Sequence, residues 1–281
     1  MSMQAILTEG FTLALGGGGA RGWAHIGVAR GLEEAQLHPA LIVGTSMGAI
    51  IGAGIAAGYS SRHIESVAAR MPIYRLVGRR GRFALFDPRP VLERMAGEIG
   101  DPKIEDLPTP LAVSAFDLVA GRPTAITSGR LVDALERSIA VPFFFPPCLD
   151  DEGVWCDAGP WEGMPVSIAR TLSSAPVVGV HVDAPKPPFL ESRYAAFLLR
   201  RAAARLGTGS LGDRLTARRY LALLSQRWAD PVHFETPDLL IQPDLGRAQA
   251  WWFGRIGPLV ERGLAATRQA IEQEGVSVHA A

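Results

Sequence analysis

The sequence predicts an α/β fold: a mainly parallel central sheet flanked by helices, with a helical C-terminal portion. Three observations carry this reading. Short runs of β-forming residues recur at Phe11–Leu15, Leu41–Val43, Leu111–Phe116 and Val177–Val182. Helix-length segments separate them, Trp23–Ala35 after the first run and Met47–Gly58 after the second. The run at 41–43 is continuously apolar and that at 177–182 is apolar apart from His181, as strands covered on both faces are. Strands spaced by helices imply βαβ units.

Each element has a local reason. The first helix carries Ile26, Leu32 and Ala35 at roughly helical spacing and ends before Pro39. Arg122–Thr127 reads as the partner of Leu111–Phe116, and Arg130–Ala140 as a helix stopped at Val141-Pro142. Residues 60–106 are polar and mixed, with a basic loop at 78–82. No internal repeat or low-complexity linker interrupts the chain. Residues 1–281 therefore read as a single domain with a core over about 11–183 and a helical portion over 189–281.

Composition narrows the function classes. In 281 residues, 28 Lys and Arg balance 28 Asp and Glu, so the formal net charge is zero and bulk nucleic-acid binding is disfavoured. A hydrophobic fraction of 48% excludes disorder. Two cysteines, Cys148 and Cys156, cannot build a disulfide framework or a four-ligand zinc site alone, which points to reduced thiols in a cytoplasmic protein. No charged n-region marks a signal peptide in the first twenty residues. Leu41–Tyr59 is uncharged over nineteen positions, long enough to span a bilayer. Its five glycines make it only weakly hydrophobic, and it reads better as a strand, a tight turn and a small-residue helix.

Chemistry concentrates at three places. Gly44-Thr45-Ser46-Met47-Gly48 matches G-x-S-x-G, with β-formers before it and a helix after it. A serine on a strand-to-helix turn needs glycines on both sides, because the backbone is strained and neighbouring side chains would clash. Gly16-Gly17-Gly18-Gly19-Ala20-Arg21-Gly22 follows the first strand and exposes successive N–H groups, suited to an oxyanion or a phosphate. It also satisfies G-x-G-x-x-G, but Leu37–Ser46 lacks the acidic residue of a dinucleotide site, and Trp23 stands where a phosphate-binding lysine would. Asp157-Ala158-Gly159 offers a carboxylate flanked by small residues, which can approach another backbone closely.

These three motifs in this order resemble the patatin-like phospholipases, with the G-G-G-x-R-G loop at Gly17–Gly22, the nucleophile motif at Gly44–Gly48 and the aspartate motif at Asp157–Gly159. Ala24–Val28, Ile104–Leu107, Val141–Pro147 and Met164-Pro165-Val166 also look like bacterial members. The chain departs from the pattern at Ala158 and at Pro160-Trp161-Glu162-Gly163, which leaves the rim of the site and the substrate open. The resemblance implies a lipid acyl hydrolase of the phospholipase A or lysophospholipase type, with no cofactor and no metal. In that scheme Asp157 takes the proton of Ser46, which attacks an ester carbonyl. The N–H groups of Gly17, Gly18 and Gly19 hold the oxyanion, Arg21 and Gly22 support the loop or contact phosphate, and water releases the acyl group. An ordinary aspartate, with a pKa of ~3.9, is a weak base for a hydroxyl, so Asp157 has to be partly desolvated.

Two rivals remain. Ser46, Asp157 and His181 follow the chain order of an α/β-hydrolase triad, although His181 sits in a strand-like run. A non-catalytic nucleotide-binding module could use the Gly16–Gly22 loop alone. Residues 189–229 hold eight arginines against Glu191 and Asp213, an amphipathic stretch suited to peripheral contact with an anionic membrane or to a solvated helix face. Trp251-Trp252-Phe253 is either lipid-facing or packed.

Overall fold

The computed structural model describes residues 7, 10–71, 87–142, 144–151, 153–182, 211–227 and 235–274. Among these, eight strands form one sheet: β1 (Phe11–Leu15), β2 (Pro39–Thr45), β3 (Leu111–Asp117), β4 (Arg122–Ile126), β5 (Cys148–Leu149), β6 (Val154–Cys156), β7 (Val177–Val180) and β8 (Leu239–Ile241). The helices are α1 (Ala24–Glu34), α2 (Met47–Ala56), α3 (Ser61–Arg70), α4 (Arg89–Ile99), α5 (Leu131–Ile139), α6 (Val166–Leu172), α7 (Leu211–Arg227) and α8 (Ile256–Gln273).

The strand order is β5-β6-β3-β2-β1-β7-β8, with β4 paired to β3. β3, β2, β1, β7 and β8 are mutually parallel, whereas β4 and β6 join β3 antiparallel and β5 joins β6 the same way. The sheet is thus mainly parallel, as the sequence predicts. From β1 the chain builds outward through β2 and β3 on one side, then returns to add β7 and β8 on the other. Open α/β sheets hold their ligands beyond the carboxyl ends of the strands at such a reversal.

Alternate residues of the strands face opposite layers. Leu13, Leu15, Ile42, Val113, Val178 and Val180 join the main core with residues of α1, α2, α5 and α8. Ala14, Val43, Ala112 and Val177 meet Val166, Ile168 and Ala169 of α6 on the other face. Burial on both faces is why these strands read as mainly apolar runs. A third cluster gathers Phe116, Cys156, Trp161, Tyr220 and Leu224, so α7 packs beside the antiparallel strands.

α1 and α8 cross backbone to backbone. A Cβ on Gly27 would collide with the Val260 carbonyl, and one on Gly263 with the Ala24 carbonyl. The C-terminal portion is not purely helical, because β8 extends the sheet beside β7. Residues 41–59 resolve into a strand, a single-residue turn and a buried helix, and no described helix is long and apolar enough to cross a membrane. The polar 60–106 segment contains α3 and α4, and the basic loop at 78–82 lies outside the described residues. Of the arginine-rich 189–229 stretch, Arg193, Arg200, Arg201 and Arg205 also lie outside them.

Candidate active site

Ser46 is the turn between β2 and α2. Its φ of 56° and ψ of −122° put a non-glycine residue in a sparsely populated region, a strain that the surrounding packing has to hold. The flanking glycines make this possible. A Cβ on Gly44 would stand 2.5 Å from the Ala49 Cα, and one on Gly48 would strike the Leu15 carbonyl. The Ser46 carbonyl accepts from the N–H groups of Ala49 and Ile50, so the turn feeds directly into α2 and aims the positive end of that helix at the serine.

Ser138 on α5 completes the elbow. Its hydroxyl accepts from the Ser46 N–H at 2.8 Å and donates to the Ser114 carbonyl at 2.6 Å, tying the turn to β3. Ser138 is fully buried. Nothing in the sequence marks it, since one serine on an amphipathic helix has no distinctive neighbours.

The register of β3 sets the ends of β2 and β6 on one line. β4 occupies one edge of β3 along Val113–Asp117, so β6 uses the edge that also takes β2. β2 and β6 run head-on along that edge, Thr45 pairing with Ser114 and Cys156 with Phe116. Ser46 and Asp157 are the residues that directly follow these two paired positions. Asp157 is 3% exposed; its N–H donates to the Ala140 carbonyl at 3.1 Å, and its Oδ1 accepts the Gly159 N–H at 2.7 Å. Ala158 is fully buried and its carbonyl receives the N–H groups of Trp161 and Glu162, which closes the turn after the aspartate.

The glycine loop lies beside the serine, for a Cβ on Gly17 would be 3.5 Å from the Ser46 Cβ. Most of its N–H groups are already engaged. Gly16 donates to the Val180 carbonyl, Gly17 to the Gly163 carbonyl at 2.8 Å, Ala20 to the Ala250 carbonyl and Arg21 to the Gly18 carbonyl. Those of Gly18 and Gly19 have no partner among the described residues. Of the three glycines expected as donors, Gly17 is thus the one whose N–H is engaged within the protein.

Three side groups brace the loop. Arg21, 8% exposed, gives Nε to the Val182 carbonyl at 2.6 Å and Nη1 to the Ala248 carbonyl at 3.0 Å, which ties the loop to both segments. Gly22 lets the turn close over Met47, because a Cβ there would meet that side chain. His25, wholly buried, donates Nε2–H to the Gly16 carbonyl at 2.8 Å. Burial lowers its pKa to about 4, with the Gly16 hydrogen bond opposing, so the ring is neutral at ordinary pH.

The departure from the family pattern at 160–163 also acquires a role. Trp161 stacks on Phe116 with ring centroids 3.9 Å apart and donates to the Arg227 carbonyl at 2.7 Å, docking the end of α7. Glu162 is buried; its Oε1 accepts the Ser167 N–H, and desolvation raises its pKa. Gly163 supplies the carbonyl that anchors Gly17.

His181 does not join the serine. It follows β7, and β1 separates β7 from β2, a lateral distance of about 10 Å at the usual strand spacing. Its Nδ1 faces the Gln242 side chain at 3.4 Å, beyond β8 and away from Ser46.

A strained serine elbow between a parallel strand and a helix defines an α/β protein of the nucleophile-elbow type. The chain belongs to the patatin-like phospholipase family, whose model matches residues 13–170. It is 35% identical over 174 residues to an uncharacterized NTE family protein of Mycobacterium tuberculosis, covering 61% of this chain and 46% of that one. It is 30% identical over 182 residues to lysophospholipase NTE1 of Mycosarcoma maydis, covering 60% of this chain and 9% of that protein. Neuropathy target esterase of Drosophila melanogaster is 29% identical over 182 residues, 60% of this chain and 13% of its own. The chain thus spans less than half the length of these curated relatives. The crystal structure of VipD from Legionella pneumophila aligns with a TM-score of 0.51 at 14% identity, over 94% of this chain and 67% of that one, and so shares the fold.

Proposed function

We propose that this protein hydrolyses carboxylic esters of lipids, lysophospholipids foremost, through a Ser46–Asp157 dyad and an acyl-enzyme. The observation that carries the reading is the strained Ser46 elbow with Asp157 arriving head-on along the same edge of β3. Asp157 takes the hydroxyl proton as Ser46 Oγ attacks the ester carbonyl. The oxyanion accepts from the N–H groups of Gly18 and Gly19. Collapse expels the alcohol, which leaves with the proton held by Asp157. Water then attacks the acyl-enzyme, returns a proton through Asp157 and frees Ser46. Membership of a phospholipase family and the lysophospholipase and esterase names of two relatives support the substrate class. Two free thiols, Cys148 and Cys156, support a reducing, cytoplasmic setting.

The test is hydrolysis of a lysophospholipid and of a soluble short-chain ester, with labelling by a fluorophosphonate probe. Ser46→Ala is expected to lose labelling and ~10³-fold or more of kcat, and Asp157→Asn nearly as much. His181→Ala is expected to stay within a few-fold of the parent protein, because its ring faces Gln242. Activity of Ser46→Ala within tenfold of the parent protein overturns the assignment. A folded but inactive His181→Ala restores the triad.

A further inference from the structure

We propose that the rim formed by residues 245–262 docks the protein on an anionic phospholipid surface, Trp251 and Trp252 entering the interface and Arg247 and Arg255 taking lipid phosphates. The docking stands on the rim itself; its consequence for catalysis rests on the ester-hydrolase reading above. Trp251 is 71% exposed and Trp252 52%, the two largest values among the described large apolar side chains. They are not on a loose strand of chain. The Ala248 and Ala250 carbonyls on one side are held by Arg21 and by the Ala20 N–H at 2.6 Å. Phe253 on the other side packs edge-on against Trp23, with centroids 6.2 Å apart. The fold therefore pins both neighbours and presents two indoles to solvent, the amphipathic side chains that favour a membrane–water boundary.

Charge complementarity selects the occupant. A cavity of about 260 Å³ opens beneath Trp252, lined by Arg247, Gln249, Arg255, Leu259 and Arg262. It is smaller than an ordinary ligand pocket, and three guanidinium groups stand on its lining. Arg255 stacks over the Trp252 ring at 4.4 Å, and neither Arg247 nor Arg255 has a carboxylate partner among the described residues. Arg262 leans on the carbonyl of Asp244, whose carboxylate lies 3.9 Å away, and Glu261 is drawn toward Arg30 at 3.6 Å. Two guanidinium groups are thus left for an external anion. The rim is also continuous with the proposed oxyanion loop, since Ala250 touches Gly19 and Ala20. A bilayer seated on the indoles would lie beside the proposed oxyanion loop.

The experiment measures co-sedimentation of the Ser46→Ala protein with vesicles of phosphatidylcholine alone and with 30 mol% phosphatidylglycerol (about), across a salt series. Binding to the anionic vesicles is expected to exceed that to neutral ones and to weaken as salt rises. Arg247→Gln with Arg255→Gln is expected to cost roughly 25-fold in affinity, about fivefold per arginine near an anionic surface. Trp251→Ala with Trp252→Ala is expected to cost tenfold or more and to abolish the blue shift of tryptophan emission on vesicle addition. With Ser46 restored, both variants are expected to keep fluorophosphonate labelling and soluble-ester hydrolysis, which separates docking from the catalytic reading and reports the fold. Unchanged vesicle binding in either variant overturns the proposal. So does equal binding to neutral vesicles, or a parent protein that self-associates without lipid and becomes monomeric on loss of the tryptophans.

Discussion

His25 shows how one buried side chain couples the glycine loop to acidity. The unfolded chain protonates it near pH ~6.5, whereas burial holds the folded value at about 4. Between these values the unfolded state binds more protons, so stability falls as pH drops through that window. The loss amounts to roughly 3 kcal/mol once pH is below the folded value. Chemical denaturation from pH 7 to pH 3.5 is expected to show it. His25→Gln, which keeps a donor for the Gly16 carbonyl without an ionisable ring, is expected to flatten the curve in that window. An unchanged slope would show that other groups set the acid limit. The residue scale also marks where sequence reading stops. The Ser46 turn is legible because glycines must stand on both sides of it. Ser138 is not, because its role depends on a backbone N–H brought from 92 positions away.

At the scale of elements, β1, β2, β3 and β7 are legible because burial on both faces writes mainly apolar runs into the chain, whereas the three-residue β8, parallel to β7, is not. β5 and β6 are not, being two and three residues long with no periodicity to detect. Yet β6 delivers Asp157. The turn that follows is equally local in effect and hidden in sequence: Trp161 holds α7, Gly163 holds the glycine loop, and Glu162 receives the Ser167 N–H at the start of α6. Glu162 does this at a cost, since desolvation raises its pKa and its Oε2 has no partner among the described residues. A raised folded pKa means the penalty is absent below the usual carboxylate range and grows as pH rises through it. Glu162→Gln keeps an acceptor for Ser167 and removes the ionisation. The variant is expected to unfold at a higher temperature than the parent protein at pH 8 and to match it near pH 3.5. A lower Tm at both values would show that the carboxylate itself is required.

At the scale of the molecule, the family match ends at residue 170, but the packing does not. β8 pairs with β7 along Val178–Val180, Ala248 holds Arg21, and α8 lies on α1 where Gly27 and Gly263 admit backbone contact. Leu259, Val260, Leu264 and Ile271 of α8 are buried. At about 1.5–3 kcal/mol for each such side chain, losing them removes roughly 6–12 kcal/mol. That equals the whole stability of an ordinary domain, about 5–15 kcal/mol. The region matched by the family model is therefore not expected to fold alone. A chain ending at residue 236 is expected to lack a cooperative thermal transition, to bind a hydrophobic dye and to resist labelling at Ser46, because the loop beside that serine loses its brace. The full chain with Val260→Ala is expected to keep labelling and unfold at a lower temperature, separating loss of packing from loss of the site. A cooperative transition with labelled Ser46 in the shortened chain would show the opposite. The N-terminal layers would then be self-sufficient, and α8 would be an addition to a finished core.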